Sequence, residues 1–178
     1  MEEYVEVRNL VNHMVVYKID DTHHRVSFNP FEVKKIAVEE LRQLNYQYGG
    51  KVLLQNYLCV LDKELRKEFE ISPDIIEYDW TLEDVDAALT TAPLDVLLDA
   101  LDFAPLGIKD LLVDRAVELK IPDTSRRKAI HEATGIDVNN MIELKEQVEA
   151  LNPTEESELP HTRRVNHPPA RSGRRVQN

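Results

Sequence analysis

Apolar and polar positions alternate at the start of this chain. Val5 and Val7 alternate with Glu6 and Arg8, and Met14-Val-Val-Tyr17 leads to Lys18. Arg25-Val-Ser-Phe28 alternates again before Asn29-Pro30, a turn signal. Lys34 to Val38 supplies a further strand. Together these predict a small antiparallel sheet with one wet face, too small to be stable without a cover. The period then lengthens. Val38, Leu41 and Leu44 fall on one helical face, and Lys51 to Leu65 places Leu53, Leu54, Tyr57, Leu58, Leu61 and Leu65 for a second helix. Gly49-Gly50 breaks the chain between them. For residues 1–71 the expectation is therefore a β-rich N-terminal domain whose sheet packs against a helical hairpin.

Residues 72–80 read as a connector, and Trp80-Thr-Leu-Glu-Asp-Val85 opens a helix. Thr81 suits the N-cap, Glu83 and Asp84 suit the positive end of the helix dipole, and Trp80 can staple onto Val85. Trp80 is thus the expected inter-domain anchor. Ala92-Pro-Leu94 and Ala104-Pro-Leu106 each open another helix, because proline's missing N–H has no partner in a first turn. The first carries Val96, Leu97, Leu98 and Leu101; the second carries Ile108, Leu111, Leu112, Ala116 and Leu119. Pro122 stops the second, Asp123 or Thr124 caps the next, Gly135 ends it, and Asp137 caps a last helix to about Ala150. Residues 81–151 thus form a bundle of about five helices, and the fold class is α+β.

Charge divides the chain differently. The net formal charge is −11, yet the segment 159–178 holds Arg163, Arg164, Arg171, Arg174 and Arg175 and no acid. Setting those five arginines aside leaves −16 for everything else. Pro160, Pro168, Pro169 and Gly173 exclude a helix there, and few apolar residues are available for a core. Residues 152–178 are accordingly expected to be an extended Arg/Pro-rich arm seeking an anionic partner. Its arginines suit phosphates and suit equally an acidic groove on a neighbouring protein, where guanidinium–carboxylate pairs are bidentate.

The hydrophobic share of 42% is enough for a modest core. No apolar run approaches the roughly 18–20 residues that cross a bilayer, and Met1-Glu-Glu is the reverse of a signal peptide's basic start, so synthesis in a cytoplasm is expected. Cys59, the one cysteine, excludes internal disulfides and thiolate clusters; its place in Tyr57-Leu-Cys-Val-Leu61 reads as a buried, inert thiol. Asp95, Asp99, Asp102, Asp110, Asp114 and Glu118 recur every three or four positions, as a solvated helix face does. If that face binds anything, an arginine arm from a neighbouring subunit is the natural candidate. His23-His24, His161 and His167 lack the spacing of a helical metal site, and nucleophile-elbow, dinucleotide and phosphate-loop motifs do not occur. No metal, cofactor, small-molecule substrate or catalytic residue is expected.

Arg126-Arg-Lys-Ala-Ile-His-Glu-Ala-Thr-Gly135 with Met141-Ile142 is similar to a helix-turn-helix. The second helix, however, carries Asp137, Glu143, Glu146 and Glu149 against Lys145 alone, a surface that phosphates would repel. Helix-hairpin packing is the preferred reading. The alternative is a regulatory nucleic-acid-binding protein that uses this pair together with the arginine tail.

Several stretches resemble small virion proteins of tailed bacteriophages, capsid- or neck-associated: Arg25-Val-Ser-Phe-Asn-Pro30 with Lys34-Lys35, Glu39-Glu-Leu-Arg-Gln-Leu44, Tyr48-Gly-Gly50, Leu53-Leu-Gln-Asn-Tyr-Leu58, Leu89-Thr-Thr91, Leu101-Asp-Phe-Ala-Pro105 and Lys128-Ala-Ile-His-Glu-Ala-Thr-Gly135. The resemblance spans roughly Val5 to Leu144 and leaves out the arm. It implies a non-enzymatic structural component of a virion, a minor capsid, decoration or head–tail connector-associated protein. Its partners would be capsid or connector subunits, with packaged DNA a further partner for the arm.

Overall fold

The computed structural model describes residues 2–152; the expected arm, from Pro153 onward, lies outside the described residues. Four of the five strands fall where alternation places them: β1 (Tyr4–Asn9), β2 (Val15–Lys18), β3 (Arg25–Phe28) and β4 (Val33–Ala37). They do not join into one meander. β1 is the centre of a three-stranded antiparallel sheet in the order β4-β1-β5, and β2-β3 is a separate hairpin. Val5 pairs with Ile36 and Val7 with Lys34 and Val60 in register. Val7 and Asn9 turn inward while Glu6 is exposed, which gives the expected wet face.

Helix α1 (Val38–Tyr46) follows β4 without a loop and buries Val38, Leu41 and Leu44. The single helix expected over Lys51 to Leu65 is a correction. The chain instead forms α2 (Gly50–Asn56), β5 (Leu58–Val60) and α3 (Lys63–Glu68). All three residues of β5 are buried, because Leu58-Cys-Val60 pairs with the free edge of β1. A short apolar run satisfies either period, and only an available strand edge decides between them. Asp62, whose side chain accepts from the Leu65 N–H, starts α3 cleanly.

A 3-10 helix, Pro73–Tyr78, leads into α4 (Leu82–Thr90), α5 (Leu94–Phe103), α6 (Leu106–Glu118), α7 (Thr124–Thr134) and α8 (Val138–Leu151). The caps are those read from sequence. Thr81 and Asp84 form a reciprocal capping box, Asp123 and Asp137 accept from the first-turn N–H groups of α7 and α8, and Gly135 adopts φ 74° at the end of α7. The core is continuous from Val7 through Leu54, Tyr78, Leu97 and Leu112 to Ile142. Not every expected core leucine joins it. Leu97 and Leu101 of α5 are buried, but Val96 and Leu98 are exposed, as is Leu119 after α6. Among the described residues no helix is long and apolar enough to cross a membrane.

Candidate interaction surfaces

Buried polar side chains in this protein serve its own backbone. Asn9 is fully buried at the end of β1. Its Nδ2 donates to the carbonyls of His13 (2.8 Å) and Asn29 (2.9 Å), and its Oδ1 accepts from the Val11 N–H (3.1 Å), so one side chain ties two loops to the sheet. Arg66 donates to the carbonyls of Val60 and Leu61, closing the end of β5. Arg126 is buried, donating to the carbonyls of Ala88 (2.5 Å) and Ala92 and pairing with Asp123. The Ala88 carbonyl in the last turn of α4 has no partner within the helix, and the guanidinium satisfies it together with the Ala92 carbonyl just beyond the helix end.

That placement decides what the α7–α8 pair offers. Arg126 is spent on α4, while Arg127 donates to the Ile121 carbonyl and to Asn139. Lys128 lies 3.6 Å from Glu132. On α8, Glu143, Glu146 and Glu149 are exposed, so the face that would read a duplex is acidic.

A cleft of about 700 Å³ opens between the β2–β3 hairpin and the β4–α1 segment and includes Glu2, His24, Lys35, Glu39 and Glu40 in its walls. Beneath it the Tyr17 hydroxyl donates to Glu40 (2.5 Å), whose other oxygen is 3.8 Å from His24 Nε2. Burial and the Glu40 charge both push the Tyr17 phenol well above its ordinary range. This group braces the hairpin against α1, helped by Gln47, whose Nε2 donates to the Lys18 carbonyl. Cys59 is buried, and burial pushes its thiol up to about 11, the range of an unreactive thiol. Among the described residues no three metal-ligating side chains converge.

The six acidic residues of α5 and α6 are all exposed, as a solvated face requires. Two of them nevertheless hold the molecule together: Asp99 accepts from the Tyr78 hydroxyl (2.9 Å) and Asp110 from the Tyr57 hydroxyl (3.0 Å). Burial and Asp99 raise the Tyr78 phenol to about 12. Trp80 packs on the core beside Tyr78, ring centroids 5.8 Å apart and tilted by 57°. Arg8 on β1 lies 3.0 Å from Asp79, so the connector is held to the sheet on one side and to α5 on the other.

Exposed apolar side chains among the described residues include two groups next to packed elements. Val52 and Leu106 are exposed beside Asn56, whose Nδ2 donates to the Val52 carbonyl and whose Oδ1 accepts from the Leu106 N–H, and Phe103, the last residue of α5, is exposed as well. Tyr48, in the turn before α2, is wholly exposed. The second surface is a seam on α8, Met141, Leu144, Val148 and Leu151, beside a groove of about 430 Å³ walled by Val117 of α6. No protein-family model, curated protein or solved structure matches this chain. The surfaces themselves therefore carry the functional argument.

The five arginines singled out from sequence, Arg163, Arg164, Arg171, Arg174 and Arg175, lie outside the described residues. Neither apolar surface was anticipated. For α8 the signal was present, since Met141, Leu144, Val148 and Leu151 repeat at three- and four-residue spacing while Val138 and Ile142 form a second stripe. Periodicity alone does not say which of two stripes faces the core.

Proposed function

We propose that this protein acts by binding, as a non-enzymatic structural component of a tailed-phage particle. In this reading it is a minor capsid or head-associated protein. Its body docks on a capsid or connector subunit, and the arm carrying Arg163, Arg164, Arg171, Arg174 and Arg175 latches onto a neighbouring protein or the packaged genome. The observation that carries the reading is the exposed pair Val52 and Leu106 at the Asn56 junction, with exposed Phe103 three residues before Leu106. An apolar surface on a firmly packed junction needs little reordering when it docks, so most of its burial energy is kept as affinity. In a repeated lattice, contacts that are individually weak become effective through multiplicity.

The test is incorporation into particles of three forms: the full chain, Phe103→Asp, and a truncation after Asn152. Loss with either variant while the body still melts cooperatively supports docking and latching. Normal incorporation of both refutes the proposal. Fluorescence anisotropy against duplex DNA across a salt series assigns the latch. Arm-dependent, salt-steep binding assigns it to the genome, and no binding near physiological salt assigns it to a protein partner.

A further inference from the structure

The groove between α6 and α8 has apolar walls and an acidic rim. Val117 of α6 lines it with Met141, Leu144 and Val148 of α8, all three exposed although Val138 and Ile142 of the same helix are buried. Its wide part, about 430 Å³, adjoins a narrower hollow of about 190 Å³ that shares Val117, Met141 and Lys145 with it. Glu149 borders the wide part, and Asp114 and Glu118 border the narrow one. Lys145 is the one cation among these lining residues. Of the three acids, only Glu118 has a cation at ion-pair distance among the described residues, namely Arg115. Asp110, Asp114 and Glu118 also follow one another at four-residue intervals along α6, where like charges repel. Desolvation, followed by those two neighbours, raises the Asp114 carboxyl. Such a groove suits an extended segment that carries apolar and cationic side chains and no acid.

The chain holds one such segment. Residues 159–178 contain five arginines and no acid, whereas setting those arginines aside leaves −16 for everything else, so the body of a second copy meets this rim with like charge. Within the segment, Leu159 and Val165 stand on either side of Arg163 and Arg164, and Pro160 keeps the chain between them out of a helix. Connectivity favours the same molecule. The arm begins at the end of α8, directly after Asn152. The return from Asn152 to Met141 is about 16 Å along the helix axis. The chain from Asn152 to Arg163 can span about 36 Å, which leaves Glu155, Glu156 and Glu158 in the slack ahead of the groove. A segment tethered so closely meets the groove at an effective concentration of about millimolar, far above that of a separate molecule in dilute solution.

We infer that residues 159–165 of the chain's own arm fold back into the α6–α8 groove. Leu159 seats against Leu144 and Val148, Val165 seats against Met141, and the Arg163 and Arg164 guanidiniums lie on Asp114 and Glu118. The groove is then a resting place for the arm. The consequence rests on the latch reading above: a protein or nucleic-acid partner of the arginines has to displace them from the groove, so its binding is held back until it out-competes the body.

Paramagnetic relaxation in the full chain tests the docking. A nitroxide on Asn166→Cys sits just past the docked segment, and Cys59, being buried, stays unlabelled. The expected result is broadening of the amides of residues 113–118 and 141–149 and not of the β2–β3 hairpin. Leu144→Lys, at an exposed position, should abolish that broadening and leave the thermal midpoint unchanged. Broadening that is absent, or spread evenly over the surface, overturns the inference, as does broadening indifferent to Leu144→Lys. A mixture of labelled chain with isotope-enriched unlabelled chain separates the two sources of an arm. Broadening of the unlabelled chain's groove overturns the return within one molecule and assigns the groove to a neighbour's arm. Particle incorporation plays no part in this readout, so a failed docking leaves the proposed particle role standing, and failed incorporation leaves the docking standing.

Discussion

Gly107, in the first turn of α6, lies against the backbone carbonyl of Asn56 at the end of α2. A methyl group built on Gly107 would sit 2.5 Å from that oxygen and 3.0 Å from Val11. The absence of a side chain thus lets the helical half of the protein seat directly on the sheet half. The Leu106 N–H donates to Asn56 Oδ1 and the Tyr57 hydroxyl reaches Asp110 on either side of this contact.

Gly107→Ala decides whether that contact matters. Helix propensity alone favours alanine by about 1 kcal/mol, while a clash with a backbone atom costs about 1–3 kcal/mol. The expected outcome is net destabilisation, read by denaturant unfolding. Gly135→Ala is the comparison: it has open space around it, and only its φ of 74° resists a side chain, at about 1 kcal/mol. A Gly107→Ala protein more stable than the parent would show that α6 does not seat this closely.

Asn9→Ala should cost about 2–3 kcal/mol, since it removes three hydrogen bonds and leaves their partners unmatched in a buried place. The expected signature is a lower unfolding midpoint at unchanged denaturant slope. An unchanged midpoint would mean that water replaces the side chain at both loops.

Arg126→Ala should lower stability by about 3 kcal/mol, because the Ala88 carbonyl in the last turn of α4 and the Ala92 carbonyl just after it lose their donor. Arg126→Lys should rescue little, as one ammonium cannot span two separate carbonyls as a planar fork does. If instead both variants melt like the parent and lose DNA binding, the arginine is a nucleic-acid contact.

Leu112 is fully buried in α6, and Leu112→Asp places an unpaired charge there. Loss of the cooperative thermal transition is expected. A parent-like melt would show that this face of α6 is turned outward.

Asp114 gives a pH-dependent prediction. Although Asp114 is exposed at the surface, desolvation of its carboxyl by the groups around it, followed by the nearby charges of Asp110 and Glu118, raises it above the ordinary value of 3.8. The folded state therefore holds this proton more tightly than the unfolded state, so ionisation destabilises the fold. The penalty is absent below 3.8, grows as pH rises towards the folded value, and is complete above it. Asp114→Asn should raise the thermal midpoint at pH 7 and give no gain near pH 3. Equal gains at both pH values would assign the effect to something other than this proton.

The sequence by itself determined most of the local structure. Two-residue alternation marked β1 to β4. Thr81, Asp123, Gly135 and Asp137 fixed helix ends, because a cap is an interaction between a residue and its immediate neighbours. What depended on distant partners was decided only by the tertiary structure. Leu58-Cys-Val60 became a strand because β1 had an edge to offer. Arg126 became a cap for α4 rather than a free cation because folding brought it to Ala88 and Ala92. The same holds for the surfaces. α8 carries two apolar stripes, and packing against α6 and α7 buried Val138 and Ile142 and left Met141, Leu144, Val148 and Leu151 outside. Periodicity states that a helix has an apolar face; only the position of its neighbours states which face the core takes and which is left exposed.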